Sequence, residues 1–250
     1  MDRYISKLSP AADYGAGTFL LVVAILSILG NAAVLVTATW RHSVLKASEL
    51  LTVNLAVTDI GMALSMCPLS VASAFNHIWI GGNHSCLYYG LMGMIFSVAS
   101  IMTLAAMGLV RYLVTGNPSK SGILHKAYQS IQSNDNLPNS GAVERKVTLM
   151  GILISAGFIV SWAPYVFISL WTVFHSDGKG SVAPIVSLLP CLFAKCSTVY
   201  NPFVYYVFHK SFRRELRQIW ICCCRGAVSK MTFCRGAEPS EEQKREETEE

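Results

Sequence analysis

Lys195 is the residue in this sequence whose placement asks most insistently for chemistry. It stands about ten residues from either end of the apolar run 182–208, so a helix there holds its amine about 15 Å from both ends. From that depth the stem cannot easily carry its charge to a headgroup layer. A lysine so held must be paired, neutral or chemically modified. Desolvation favours the neutral form of an amine, and a neutral amine attacks aldehydes to form Schiff bases. The plainer alternative is an amine bonded to helix carbonyls or waters.

Other polar side chains within apolar runs are few, and each is costly in lipid and therefore a functional candidate. They are Asn31 in the run 17–40, Asn54 and Asp59 in 51–75, Arg111 near the inner end of 86–114, and Asn201 beside Lys195. Asn31, Asp59 and Asn201 offer a polar cluster across three helices, with hydrogen bonds, a cation site and waters that rearrange between two states. Taken singly, each is interhelical glue. Pro68, Pro164 and Pro202 free backbone carbonyls and kink their helices, which suits moving parts and static bundles alike. No Ser/His/Asp set, paired carboxylates or metal cluster is evident, so an enzyme is the least favoured class.

The elements that must position these groups are membrane spans. Hydrophobic residues make up 52% of the 250 and charged residues 14%, and mean hydropathy is +0.43. A hydrocarbon core of about 30 Å needs roughly 20 helical residues. The runs 17–40, 51–75, 86–114, 147–174 and 182–208 meet that length, and backbone in lipid must pair within its own segment. They are apolar on all faces, unlike the one-sided helices of a soluble bundle. The expected fold is an all-α integral membrane bundle with about five spans.

Basic residues set the orientation. Arg41, His42 and Lys46 follow the first run, Lys120, Lys126, Arg145 and Lys146 the third, and Lys210, Arg213, Arg214, Arg217 and Arg225 the last. The opposite connections hold almost none beyond Lys179, which places the amino terminus outside and the carboxyl terminus in the cytoplasm of a cell-membrane protein. The net charge of +5 is thus distributed for a lipid bilayer, and nucleic acid is not an expected partner. The organisation reads as an extracellular segment 1–16, a transmembrane domain 17–208 with a cytoplasmic loop 115–146, an interfacial helix with a cysteine anchor 209–224, and a tail 225–250 that ends in acidic residues. In the helix, Phe212, Leu216, Ile219 and Trp220 share one face and Arg213, Arg214 and Arg217 lie around the other. Cys222, Cys223 and Cys224 follow as palmitoylation candidates, and Asn83-His84-Ser85 is a glycosylation sequon. No CxxC pair with zinc spacing occurs among the eight cysteines, so no metal is expected.

Several short motifs now resemble one family. Gly30-Asn31, then Asn54-Leu55-Ala56-Val57-Thr58-Asp59, Arg111-Tyr112, Trp162-Ala163-Pro164-Tyr165 and Asn201-Pro202-Phe203-Val204-Tyr205 resemble, in order and depth, the rhodopsin-like G protein-coupled receptors. Lys195 ahead of the Asn201-Pro202 pair is the mark of the opsins, and the phrase from Leu192 to Tyr200 is similar to the neuropsin-like, non-visual ones. The resemblance implies a light-sensing receptor for a heterotrimeric G protein, with 11-cis or all-trans retinal bound to Lys195 as a Schiff base. It implies Trp162 and Phe158 near the ionone ring, with Tyr165 and Tyr89 also lining the site. It also implies an Arg111–Glu144 contact on the cytoplasmic side, a Tyr205 that swings inward on activation, and Cys86 as one half of an outer disulfide.

Departures from the family are equally specific. The first three runs match its helices one to three and the last two match six and seven, so the fourth and fifth are expected to be missing. Cys86 is left without its outer partner. Tyr89 stands where visual pigments carry a glutamate counterion, and Val110 replaces the acidic residue that usually precedes Arg111, which predicts raised basal signalling. Two alternatives stand beside the photoreceptor: a shortened chain that forms no retinal pocket and acts by pairing with full-length receptor in an oligomer, and a rhodopsin-like receptor for a diffusible ligand.

Overall fold

The computed structural model describes residues 4–40, 47–115, 140–175 and 182–224. Its helices are α1 (Pro10–Trp40), α2 (Ala47–Phe75), α3 (Gly82–Thr115), α4 (Ser140–Phe174), α5 (Pro184–Lys195), α6 (Ser197–Phe208) and α7 (Lys210–Cys224). Among the described residues the single β-type pairing is a bridge between Ile5 and Ile78.

Local signals decide where helices begin. α1 starts at Pro10, ahead of the expected residue 17, because Ser9 accepts the Ala12 N–H on its hydroxyl at 3.3 Å and proline suits the first helical position. Seven residues assigned to an extracellular segment are thus helical, and Asp13 and Ala16 among them are buried. α4 likewise starts at Ser140, inside the stretch expected to be loop up to residue 146.

Four helices are long and apolar enough to cross a membrane, over Pro10–Trp40, Glu49–Phe75, Gly82–Val110 and Thr148–Phe174. The fifth expected span is divided. α5 and α6 have 12 residues each, about 18 Å of rise, so neither crosses alone. Cys196 joins them with helical dihedrals, φ −63° and ψ −19°. It replaces the regular ladder by tighter bonds, Cys196 N–H to Phe193 O at 3.1 Å and Val199 N–H to Cys196 O at 3.0 Å.

α1 lies along α2 and α2 along α3, while α6 touches α1, α2 and α4. Around α6 the core gathers Val34, Leu55, Ala56, Leu104, Met107, Met150, Ile154, Tyr205 and Phe212. Glycine permits close approach at several points, two of them against α6: a Cβ at Gly30 would lie 3.0 Å from the Pro202 ring, and one at Gly157 would lie 2.7 Å from the Tyr200 ring. Outward faces carry large apolar side chains such as Leu29, Met102 and Phe167, each 64% exposed. In water such a surface is an anomaly, and in lipid it is the normal exterior.

The turn between α2 and α3 is strapped by the amino-terminal segment. Trp79 N–H donates to Tyr4 O at 2.8 Å and Ser6 N–H to His77 O at 3.0 Å. The His77 ring meets the Asp13 carboxylate of α1, and its backbone is left-handed, with φ +58°.

A buried amine lined by aromatic rings, thiols and a thioether

Lys195 is the last residue of α5 and only 8% exposed. Its Nζ donates to the Met66 thioether sulfur of α2 at 3.4 Å and lies 5.3 Å from the centre of the Tyr89 ring of α3. A thioether is a weak acceptor for a group with up to three protons to give. Among the described residues no carboxylate pairs with this amine. Nor does any helix carbonyl among the described residues accept from it.

Two sets of aromatic rings bear on the site, one beside the amine and one along α4. Tyr89 meets Trp79 edge-on at 5.3 Å, so the strapped turn touches the ring beside the amine. Along α4, Phe158 stacks on Trp162 at 5.5 Å, and Trp162 meets Tyr165 edge-on at 5.9 Å. These spacings of three and four residues put all three rings on one helix face. Trp162 Nε1 donates to Ser197 Oγ at 3.2 Å, tying that face to the start of α6.

Below the amine the polar residues divide. Asn201 Nδ2 donates to Asp59 Oδ2 at 2.8 Å. Asn31 joins neither; its Nδ2 donates to Ser27 O and to Thr198 O, both at 2.9 Å. The second acceptor has a cause in sequence. Pro202 lacks the N–H that would bond Thr198 O in a regular helix, and Asn31 fills the vacancy from α1. Asn54 Nδ2 donates to Thr103 Oγ1 at 2.7 Å, holding α2 to α3.

Towards the end of α6 Tyr205 is buried, 3% exposed, in the cluster with Met107, Met150 and Ile154. Tyr112 is 72% exposed. The side chains of Arg111 and Glu144, and those of Cys222, Cys223 and Cys224, lie outside the described residues. α7 departs from a plain interfacial helix: Phe212 is buried in the core cluster and Leu216 packs against it, while Trp220 is 66% exposed. Arg213 Nη1 donates to Tyr206 O at 3.0 Å and Val207 O at 2.6 Å, closing the last turn of α6. At the outer end the Cys86 thiol is free and exposed. Asn83 is exposed in the first turn of α3, and the Ser85 hydroxyl of the same sequon donates to Gly82 O at 3.0 Å.

Sequence reasoning missed Met66, Cys67, Cys191, Ser197 and Tyr200. Cys191 carried a readable signal, one helical turn before Lys195 and hence on its face. For the others no spacing rule relates one span to another.

Residues 30–125 match the 7 transmembrane receptor (rhodopsin family). The chain is 27% identical to Opsin-5 of Homo sapiens over 311 positions, covering 91% of this chain and 85% of that protein. That alignment has more positions than this chain has residues, so the human protein carries residues within the matched span that are missing here. Rhodopsin of Enteroctopus dofleini is 26% identical, over 88% of this chain and 69% of its own length. The fold matches squid rhodopsin with a TM-score of 0.70 at 21% identity, over 94% of this chain and 95% of that one.

Proposed function

We infer that Lys195 is the attachment point of retinal, from the premise that this chain belongs to the opsins of the rhodopsin-like receptor family, which are light-sensing membrane receptors and not enzymes. The observation that carries the inference is the amine itself: buried, 8% exposed, bonded to a thioether and resting over a tyrosine ring, with no carboxylate among the described residues to pair with it.

Retinal supplies a conjugated aldehyde whose shape changes on absorbing light. The chain's own residues do the rest. Met66 and Tyr89 hold the Lys195 amine on the inner side of α5, and burial keeps water from competing for the same carbon. Phe158, Trp162 and Tyr165 form a ring-lined wall on α4 that is apolar enough for a polyene. Trp162 then links that wall to Ser197, next to the joint at Cys196, so displacement of the indole loads the bond between α4 and α6. Two-state rearrangement of α4 against α6 passes the signal to a heterotrimeric G protein on the cytoplasmic side, with the amino terminus outside.

The test is direct. Membranes containing the full chain are incubated with 11-cis retinal, reduced with borohydride and digested. A retinyl group on Lys195, absent from Lys195→Ala, is the expected result. Correctly inserted protein that never captures retinal overturns the reading.

A further inference from the structure

Residues 4–9 lie across one end of the bundle, where α2 finishes and α3 begins. Tyr4, Ser6 and Leu8 are half-buried while Ile5, Lys7 and Ser9 are exposed, so one side of the segment faces the protein. Two backbone bonds hold it to the turn, Trp79 N–H to Tyr4 O at 2.8 Å and Ser6 N–H to His77 O at 3.0 Å. A Cβ at Gly82 would lie 4.0 Å from the Tyr4 ring, so that ring reaches the start of α3. Trp79 is fixed a second time by its Nε1–H, which donates to Ser85 Oγ at 3.0 Å. From Trp79 the contacts run inward. Its ring meets Tyr89 edge-on at 5.3 Å, and the Tyr89 ring centre lies 5.3 Å from the Lys195 nitrogen. Two ring contacts thus separate the strap from a lysine that is 8% exposed.

We propose that residues 4–9 are a cover that keeps water and water-soluble reactants from the Lys195 amine, and that Trp79 is the positioning residue through which the cover acts. The strap holds the Trp79 backbone, Trp79 holds the Tyr89 ring, and that ring lies over the nitrogen. Tyr89 alone is a weak shield, because a half-buried ring leaves by a change of rotamer unless a neighbour blocks it. Trp79 blocks it with a large rigid ring that is itself tied to Ser85. A segment held by two backbone bonds opens locally without unfolding the helices, so the cover opens while the bundle stays folded. As a control on the retinal site, the cover rests on the reading above; as a shield of the bare amine, it does not. For a Schiff base at Lys195 the consequence is slower hydrolysis, since water must reach the carbon–nitrogen double bond to restore amine and aldehyde.

A plain structural staple would make the same bonds and leave access to the amine untouched in the folded state. Two pairs of variants separate these roles. Ser6→Pro deletes the N–H that donates to His77 O, and proline favours an extended residue before it, which suits Ile5 in its bridge to Ile78. Ser6→Ala keeps that N–H and loses only the hydroxyl that accepts from Leu8 N–H, so the comparison isolates one backbone bond. Trp79→Leu removes the ring, whereas Trp79→Phe keeps a ring against Tyr89 and loses the bond to Ser85.

The experiment treats the full chain, detergent-solubilised and well below its unfolding midpoint, with a water-soluble amine-reactive ester. Labelling of Lys195 is followed over time by peptide mass, and Lys210, exposed on α7, reports the reagent's own rate. Ser6→Pro is expected to label at Lys195 about fivefold faster than Ser6→Ala, the effect of one lost hydrogen bond on a local opening. Trp79→Leu is expected to match or exceed Ser6→Pro, and Trp79→Phe to stay near the parent. Joining Ser6→Pro to Trp79→Leu should add nothing, because both open one cover. Equal labelling in Ser6→Pro and Ser6→Ala, or in Trp79→Leu and the parent, overturns the proposal. A parent whose Lys195 reacts as fast as Lys210 does the same, as does a lowered midpoint with unchanged labelling, the mark of a staple. The same proteins incubated with 11-cis retinal and reduced with borohydride judge the other reading separately. A parent that never captures retinal sinks the attachment and leaves the labelling comparison to decide the cover.

Discussion

Tyr200 of α6 gives its hydroxyl proton to the backbone oxygen of Ile154 in α4 across 2.6 Å, and it reaches that oxygen by lying over Gly157. A methyl group at position 157 would sit 2.7 Å from the ring, inside any tolerable contact. Gly→Ala within a helix ordinarily stabilises by about 0.5–1 kcal/mol. Here the sign reverses: Gly157→Ala is expected to lower the unfolding free energy by about 1–3 kcal/mol, through overpacking and the lost bond. Tyr200→Phe removes the same bond without the clash. A double-mutant cycle in detergent-solubilised protein is expected to be non-additive, and additive costs would show that the two residues do not act through one contact.

Asn31 owes its role to Pro202. With Asn31→Ala the buried Thr198 carbonyl has neither its helical donor nor the amide from α1, at an expected cost of about 1–3 kcal/mol. Placing the same change in a Pro202→Ala background restores a backbone donor to α6. Asn31→Ala is then expected to cost measurably less in thermal unfolding, and an equal cost in both backgrounds would refute this account.

The Asp59–Asn201 bond gives a graded expectation. Asp59→Asn keeps an oxygen that can accept the Asn201 amide, whereas Asp59→Ala leaves that donor buried and empty. Denaturation midpoints should rank parent and Asp59→Asn together and Asp59→Ala well below. A midpoint for Asp59→Ala at or above that of Asp59→Asn contradicts the assignment.

His77 carries two opposed contributions, a side-chain contact with Asp13 and a left-handed backbone at φ +58°. His77→Ala loses the contact and keeps the strain; His77→Gly loses the contact and relieves it. The glycine variant is expected to be the more stable of the two by about 1 kcal/mol. Amide exchange at Trp79, whose N–H is held by Tyr4, should accelerate more in the alanine variant, and the reverse order would show that the turn is not strained there.

The depth of Lys195 was legible because hydropathy alone fixes how far an amine lies from either membrane face, and the structure keeps it buried. Phe158, Trp162 and Tyr165 were named only through the family resemblance; their helical spacing on one segment is why their rings share a face. Of the neighbours of the amine, Tyr89 was named only through the family resemblance and Met66 was not named at all. Met66 and Tyr89 come from other helices, and which residue of α2 or α3 faces α5 depends on how each helix is rotated about its axis. Apolar-all-round helices carry no stripe from which that rotation can be read. The early start of α1 is a different case. Ser9-Pro10 followed by Asp13 is an ordinary helix-start signal, hidden only because the apolar run that defined the span begins later. The expected three-residue polar cluster also came out as two separate arrangements, since a free proline carbonyl drew Asn31 away from Asp59.

The joint at Cys196 has a mechanical consequence. Lys195 is the last residue before the break, and its own carbonyl accepts the Thr198 hydroxyl at 3.0 Å from the first turn beyond it. A torque applied at the tip of this side chain thus reaches the main chain where the helical ladder is weakest. The two half-rods can answer it by swivelling about a single residue, a compliance that an unbroken helix of the same length would lack.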